Sequence, residues 1–148
     1  MTVNPDLVGR VFAPTAPYAV GREKVREFAR AVFASSPLSL DPAAARAAGF
    51  ADVVAPPTFA VVIQEATLAQ LLAEPDGGID FSRVVHGEQR FRYSRPIVAG
   101  DELTATLAVT SIKTLGGNAM VTAESSILDA DGGHVVTATS TLVVRGDS

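Results

Sequence analysis

The chain has 148 residues, no cysteine, two histidines and a formal net charge of −4. A single domain of this length buries a core without disulfides or structural metal. The lack of thiols excludes cysteine nucleophiles, thiolate zinc sites and iron–sulfur clusters, and the acidic balance argues against a nucleic-acid binder.

Residues 1–6 carry neither a basic flank nor an apolar core, so no signal peptide is expected and a cytoplasmic location is. The mean hydropathy of +0.27 owes much to 24 alanines. Charge-free runs such as residues 53–64, with two prolines, are too short to span a bilayer. Residues 11–20 fit an edge strand, because Pro14 and Pro17 cannot donate to a ladder. In residues 21–34 the apolar Val25, Phe28, Ala29, Val32 and Phe33 recur at three- and four-residue spacing opposite charged residues, which predicts an amphipathic helix ending before Pro37. Asp41-Pro42 then starts a short alanine-rich helix, with Asp41 as N-cap, and Gly49 closes it.

A second long helix is predicted from Thr58 to Glu74, apolar around most of its circumference and therefore largely enclosed. Four strand-like segments follow, at residues 88–93, 103–109, 119–128 and 134–144. The last three are separated by the hairpin signals Gly116-Gly117-Asn118 and Asp129-Ala130-Asp131-Gly132-Gly133. An antiparallel sheet wrapped around one long apolar helix reconciles the two halves, because each covers the other's apolar face. The fold class expected is α+β, with residues 1–148 forming one domain.

Three segments carry a family resemblance. They are residues 25–41, ending Ser36-Pro37-Leu38-Ser39-Leu40-Asp41; Val54-Ala55-Pro56-Pro57-Thr58-Phe59; and residues 86–101, from His86-Gly87-Glu88-Gln89 to Arg95-Pro96-Ile97-Val98-Ala99-Gly100-Asp101. In these the chain resembles the MaoC-like hotdog dehydratases, in particular their FAS1-like dehydratase domain. It is similar to the non-catalytic, substrate-binding subunit of the mycobacterial heterodimeric (3R)-hydroxyacyl-carrier-protein dehydratase. Active members of the family carry Gly-Asp-x-Asn-Pro-Ile-His-x-Asp after the first helix, and its Asp and His move the protons of reversible hydration of an enoyl thioester. With Pro37 on the loop proline, Ala34 takes the Asp position, Ser36 the Asn position and Ser39 the His position, while the final Asp is Asp41. Neither Ala34 nor Ser39 can carry a proton near neutral pH, so no catalytic residue is expected in this chain.

The resemblance further implies a thioester carbonyl held by a backbone N–H at the start of the central helix. Here Pro57 has lost that donor, whereas Thr58 and Phe59 keep theirs. Pro57, Thr58, Phe59 and Val62 are the expected substrate-binding residues. His86, alone or with Glu88 or Asp101, is the alternative acid–base group, or else a structural histidine at a subunit interface. His134, after the Gly-Gly turn, is expected to be exposed. Several hotdog thioesterases use a carboxylate on the central helix, which makes Glu65 the other alternative, set among apolar neighbours or facing an arginine at a subunit boundary. Arg90 and Arg92 share one strand face, a solvated surface or an attraction for phosphopantetheine, coenzyme A or an acidic carrier protein. The implied function is a silent subunit that binds acyl thioesters, on coenzyme A or acyl carrier protein, and pairs with an active hotdog chain. The alternatives are a homodimeric acyl-thioester binding module and a thioesterase using Glu65. No cofactor and no metal site is expected.

Overall fold

The computed structural model describes residues 2–146. A five-stranded antiparallel sheet of order β1-β3-β4-β5-β2 curls around one helix. Its strands are β1 (Tyr18–Ala19), β2 (Val84–Tyr93), β3 (Glu102–Leu115), β4 (Asn118–Leu128) and β5 (His134–Val144). The helices are α1 (Arg22–Ala31), α2 (Pro37–Leu40), α3 (Pro42–Ala47) and α4 (Ala60–Leu72), the last preceded by a 3-10 turn, Pro57–Phe59. None of these helices is long and apolar enough to cross a membrane.

The meander follows from its turns. Gly116 and Gly117, with φ +59° and +81°, form the two-residue left-handed connection that matches the twist of β3 and β4. Asp129 anchors the next hairpin by accepting the N–H groups of Asp131 and Gly133 at 3.0 and 2.8 Å. Residues 11–20, in contrast, form a full ladder only at Tyr18–Ala19 against Glu102–Leu103, with an isolated bridge at Val11. Between them the chain touches β3 intermittently, through Phe12 N–H to Leu107 O and Thr15 N–H to Ala105 O, both 2.9 Å. The prolines between these contacts interrupt the ladder, so the expected strand is mostly a strap.

Helix α1 buries Val25 and Ala29 and stops in a Schellman motif: Ala34 N–H bonds to Ala29 O at 2.8 Å and Phe33 N–H to Arg30 O at 3.2 Å. The left-handed residue in that motif is usually glycine. Here it is Phe33, with φ +58° and a side chain 93% exposed. Ser36 caps α2 by accepting from Leu38 N–H, and Asp41 caps α3 by accepting from Ala43 N–H at 2.9 Å, as the Asp41-Pro42 pair predicts.

The expectation of an enclosed α4 is corrected. Ala60, Ile63, Gln64, Thr67 and Leu71 are buried against the sheet, whereas Glu65, Ala66 and Ala69 are exposed along an open flank. A single sheet covers only one side of the helix, and apolar residues elsewhere on its circumference remain accessible.

The core lies in two apolar parts. One gathers Phe59, Ala60, Ile63, Leu103, Ala105, Ile127 and Ala138, and the other Leu71, Leu107, Val109, Val121, Ala123, Leu142 and Val144. Between them runs a layer of polar side chains. Gln64 donates to Ala138 O at 3.2 Å and to Ser140 Oγ at 2.9 Å, and accepts from Gln89 at 3.0 Å. Ser140 donates to Gln89 Oε1 at 2.6 Å, while Thr67 joins Ser125 across a 2.7 Å hydrogen bond. Gln64, Thr67, Ser125 and Ser140 are all buried. Mutual hydrogen bonding is what makes such burial tolerable, and slipping a strand by two residues would leave these groups against apolar neighbours.

Candidate functional site

A cleft of about 450 Å3 opens where three segments meet: the α2 region from Ser36 to Ser39, the Val54–Pro57 approach to α4, and the Tyr93–Pro96 stretch at the end of β2. Its position follows from local bonding. Val54 N–H bonds to Leu38 O and Ala55 N–H to Ile97 O, both at 2.8 Å, which ties the middle segment to the other two.

Ser39, in the position of the family histidine, lines this cleft but is buried, and its hydroxyl donates to Val54 O at 2.6 Å. That bond fastens α2 to the cleft wall. Ala34, in the position of the family aspartate, is half-buried and offers only a methyl group. Ser36 and Asp41 are occupied as helix caps. On the same alignment Phe33 stands where the motif has glycine, and its left-handed backbone explains why glycine suits that site.

Of the four expected substrate-binding residues, Pro57 lines the cleft. Thr58 is exposed beside it, Val62 is half-buried against the core, and Phe59 is fully buried in edge-to-face contact with Phe28, ring centres 5.2 Å apart. Helical geometry separates these neighbours, since consecutive positions point about 100° apart. Pro57 is the first residue of the 3-10 turn, a place that suits its fixed φ and missing N–H.

The half-buried Tyr93 closes the helix start. Its hydroxyl donates to Pro57 O, and burial pushes the phenol up to about 12, opposed by the Ala60 N–H directed at its oxygen. Arg95 grips Asp101 through two bonds of 2.9 and 3.1 Å and reaches Asp129 at 3.3 Å. The Asp101 bonds hold its guanidinium above its ordinary value. Asp129 is held below the usual carboxylate range, by the Gly133 N–H first and by Arg95 after it. With that cation matched by two carboxylates, the cleft is an apolar trough edged with hydroxyls, suited to an uncharged chain.

The alternative groups lie elsewhere. His86 is exposed at the bulge of edge strand β2, and no hydrogen bond joins it to Glu88 or Asp101, which pair with Arg90 and Arg95. Glu65 is exposed on the open flank of α4, beside Val61, Ala66 and Ala69. Arg90 and Arg92 are exposed while Phe91 and Tyr93 pack inward, as the alternation of β2 predicts. His134, expected at the surface, is instead half-buried: its Nδ1 lies 2.5 Å from Ser94 Oγ and its Nε2 2.7 Å from Thr137 Oγ1. Ser94 lines the cleft, so this pair is a site feature that sequence reading missed.

The family model of the FAS1-like dehydratase domain region matches residues 6–138. A UPF0336 protein of Clavibacter michiganensis is 74% identical over 147 residues, covering 99% of each chain, and one of Thermobifida fusca is 51% identical over 148 residues, covering 100% of this chain and 97% of its own. Among solved structures, a chain of the C-terminally truncated HadBC (3R-hydroxyacyl-ACP dehydratase) complex of Mycobacterium tuberculosis superposes with a TM-score of 0.85 at 32% identity, over 93% of this chain and 97% of that one. A MaoC-like dehydratase superposes with a TM-score of 0.87 at 38% identity over 94% of this chain and 42% of that one, so this chain spans less than half of it. These neighbours share the hotdog fold seen here.

Proposed function

Because the chain belongs to the family of FAS1-like dehydratase domain regions, we propose that it is a MaoC-like hotdog subunit silent in hydration and dehydration, which binds an acyl thioester and pairs with an active hotdog chain. The observation that carries this reading is the fate of the two proton-carrying positions. Ala34 has no titratable group, and Ser39 spends its only proton on Val54 O. A serine is not a base near neutral pH, because a neutral hydroxyl does not hold an added proton there, and the one proton it has is committed to a carbonyl.

The trough supports the binding half of the reading. Its apolar walls match an acyl chain, and the Tyr93 hydroxyl and the α4 start lie beside the place where the family holds a thioester carbonyl. The handle is coenzyme A or acyl carrier protein. Pairing is supported by two features: β2 is the last strand of the sheet, with Val85 51% exposed, and α4 leaves Ala66 and Ala69 exposed beside the half-buried Val61. An edge strand and an apolar flank left open in one chain are covered when a second sheet continues the first.

The test is co-expression with a small hotdog protein that has the intact Asp and His loop. A stable heterodimer that dehydrates (3R)-hydroxyacyl thioesters, with loss of activity on mutating the partner's Asp or His, is expected. If the two chains form neither complex nor activity while this chain alone is a dimer that binds acyl thioester, the homodimeric binding module replaces this reading.

A further inference from the structure

We propose that Ser94 is a nucleophile for acyl transfer, activated by His134. The inference rests on the cleft receiving an acyl thioester, and it is separate from the lost hydratase pair.

Ser94 lies just past the end of β2, exposed and lining the cleft. Its Oγ is within 2.5 Å of His134 Nδ1, and the opposite ring nitrogen is 2.7 Å from Thr137 Oγ1. With Nε2–H donated to Thr137, Nδ1 presents its lone pair to the Ser94 hydroxyl, which is the tautomer a general base requires. Thr137 is thus a positioning residue. Nucleophile, base and the group that orients the base are linked in series, with Ser94 at the wall of the apolar trough and His134 and Thr137 behind it. The pair is not needed to hold the strands, because Ser94 N–H already bonds to Val135 O at 2.8 Å and Tyr93 pairs with Val136 in the ladder.

In the first step Ser94 Oγ attacks the thioester carbonyl carbon while His134 Nδ1 takes the hydroxyl proton. The C–S bond then breaks, and the thiol leaves with that proton. The product is an acyl ester on Ser94. Water, deprotonated by the same imidazole, hydrolyses this ester to the carboxylic acid and regenerates serine. The same cleft is lined by Pro56 and Pro57, which have no N–H for an oxyanion. Loss of one such donor slows each of the two steps about 10²- to 10³-fold, and because a thiolate leaves more readily than the serine alkoxide, release of the seryl ester is expected to be slower than its formation.

The absence of cysteine makes the assay clean, since any thiol released comes from the substrate. The full chain is treated with diisopropyl fluorophosphate, which reads the dyad without an acyl chain, and separately with octanoyl-CoA under a thiol reagent. Intact-mass and peptide spectra are expected to place one adduct on Ser94, with a burst approaching one thiol per chain. Ser94→Ala abolishes both. His134→Gln slows labelling about a hundredfold, and Thr137→Val shifts the pH profile of labelling while leaving the circular dichroism spectrum unchanged. Folded wild-type chain that leaves Ser94 unlabelled overturns the proposal. Binding of a non-hydrolysable octanoyl-CoA thioether, followed by calorimetry, separates the two readings. If the thioether binds and Ser94 stays unmodified, the nucleophile fails and the cleft reading stands; if Ser94 is labelled but the thioether does not bind, the reverse holds.

Discussion

Replacing Gln64 with leucine tests the polar layer that divides the core. The Gln64 amide, 1% exposed, takes part in three hydrogen bonds, to Ala138 O, to Ser140 Oγ and from Gln89. At about 1 kcal/mol net for each, their loss amounts to roughly 3 kcal/mol, offset by about 1 kcal/mol from burying a more apolar side chain. The expected destabilisation is about 2 kcal/mol, a fall in Tm of roughly 4–8 °C for a chain of this size. Urea unfolding followed by far-UV circular dichroism measures it, because the chain has no tryptophan. The triple variant Gln64→Leu, Gln89→Leu, Ser140→Ala removes both side-chain partners and leaves only the Ala138 carbonyl; removing both sides of a hydrogen bond is nearly neutral, so it should recover to within about 1 kcal/mol of wild type. A single variant as stable as wild type, or a triple variant worse than the single, would refute the reasoning.

Three further outcomes are expected. Phe33→Gly removes the cost of a left-handed phenylalanine and, after the entropy lost by glycine, should stabilise the chain by about 0.5–1 kcal/mol in the same urea assay; destabilisation would mean that Phe33 makes contacts its 93% exposure denies. Asp52 accepts both arms of Arg22, at 3.0 and 2.8 Å, and the Val53 N–H, and sits at about 2 against 3.8. A lowered carboxyl contributes stability that is complete above the unfolded value and lost as pH falls, so the Tm gap between wild type and Asp52→Asn should close between about pH 4 and pH 2. The Tyr93 phenol, raised to about 12 from 10.0, contributes stability that is present below pH 10 and lost as pH climbs towards 12. Ultraviolet titration should show a late phenolate step, absent in Tyr93→Phe.

The strands could be read from sequence because period-two alternation is visible within each of them, and β5 runs over the expected residues 134–144. The strap at residues 11–20 was harder, since prolines permit an edge position without saying how much of a ladder survives between them. The polar layer was not readable. Gln64 and Thr67 on a helix, and Gln89, Ser125 and Ser140 on strands, each look like outward residues when taken alone, and their partners come from four elements. Beside the site, the Asp41 cap of α3 was readable from the Asp41-Pro42 pair. Ser94 and His134 were not, because 40 residues separate them. The signal that brings them together is the antiparallel register of β2 on β5, which places Tyr93 against Val136 and so carries Ser94 to the start of β5. The likeness of Phe59 and Pro57 in sequence position hid their opposite fates, one in the core and one in the cleft.

The most direct test of the account is the hydration of crotonyl-CoA and longer enoyl thioesters by the purified chain, first alone and then with a hotdog subunit that carries the intact Asp and His loop. The account predicts no hydration by the chain alone and turnover once the partner is added. Appreciable hydration by the chain alone, whether or not it survives Ser39→Ala, would contradict it.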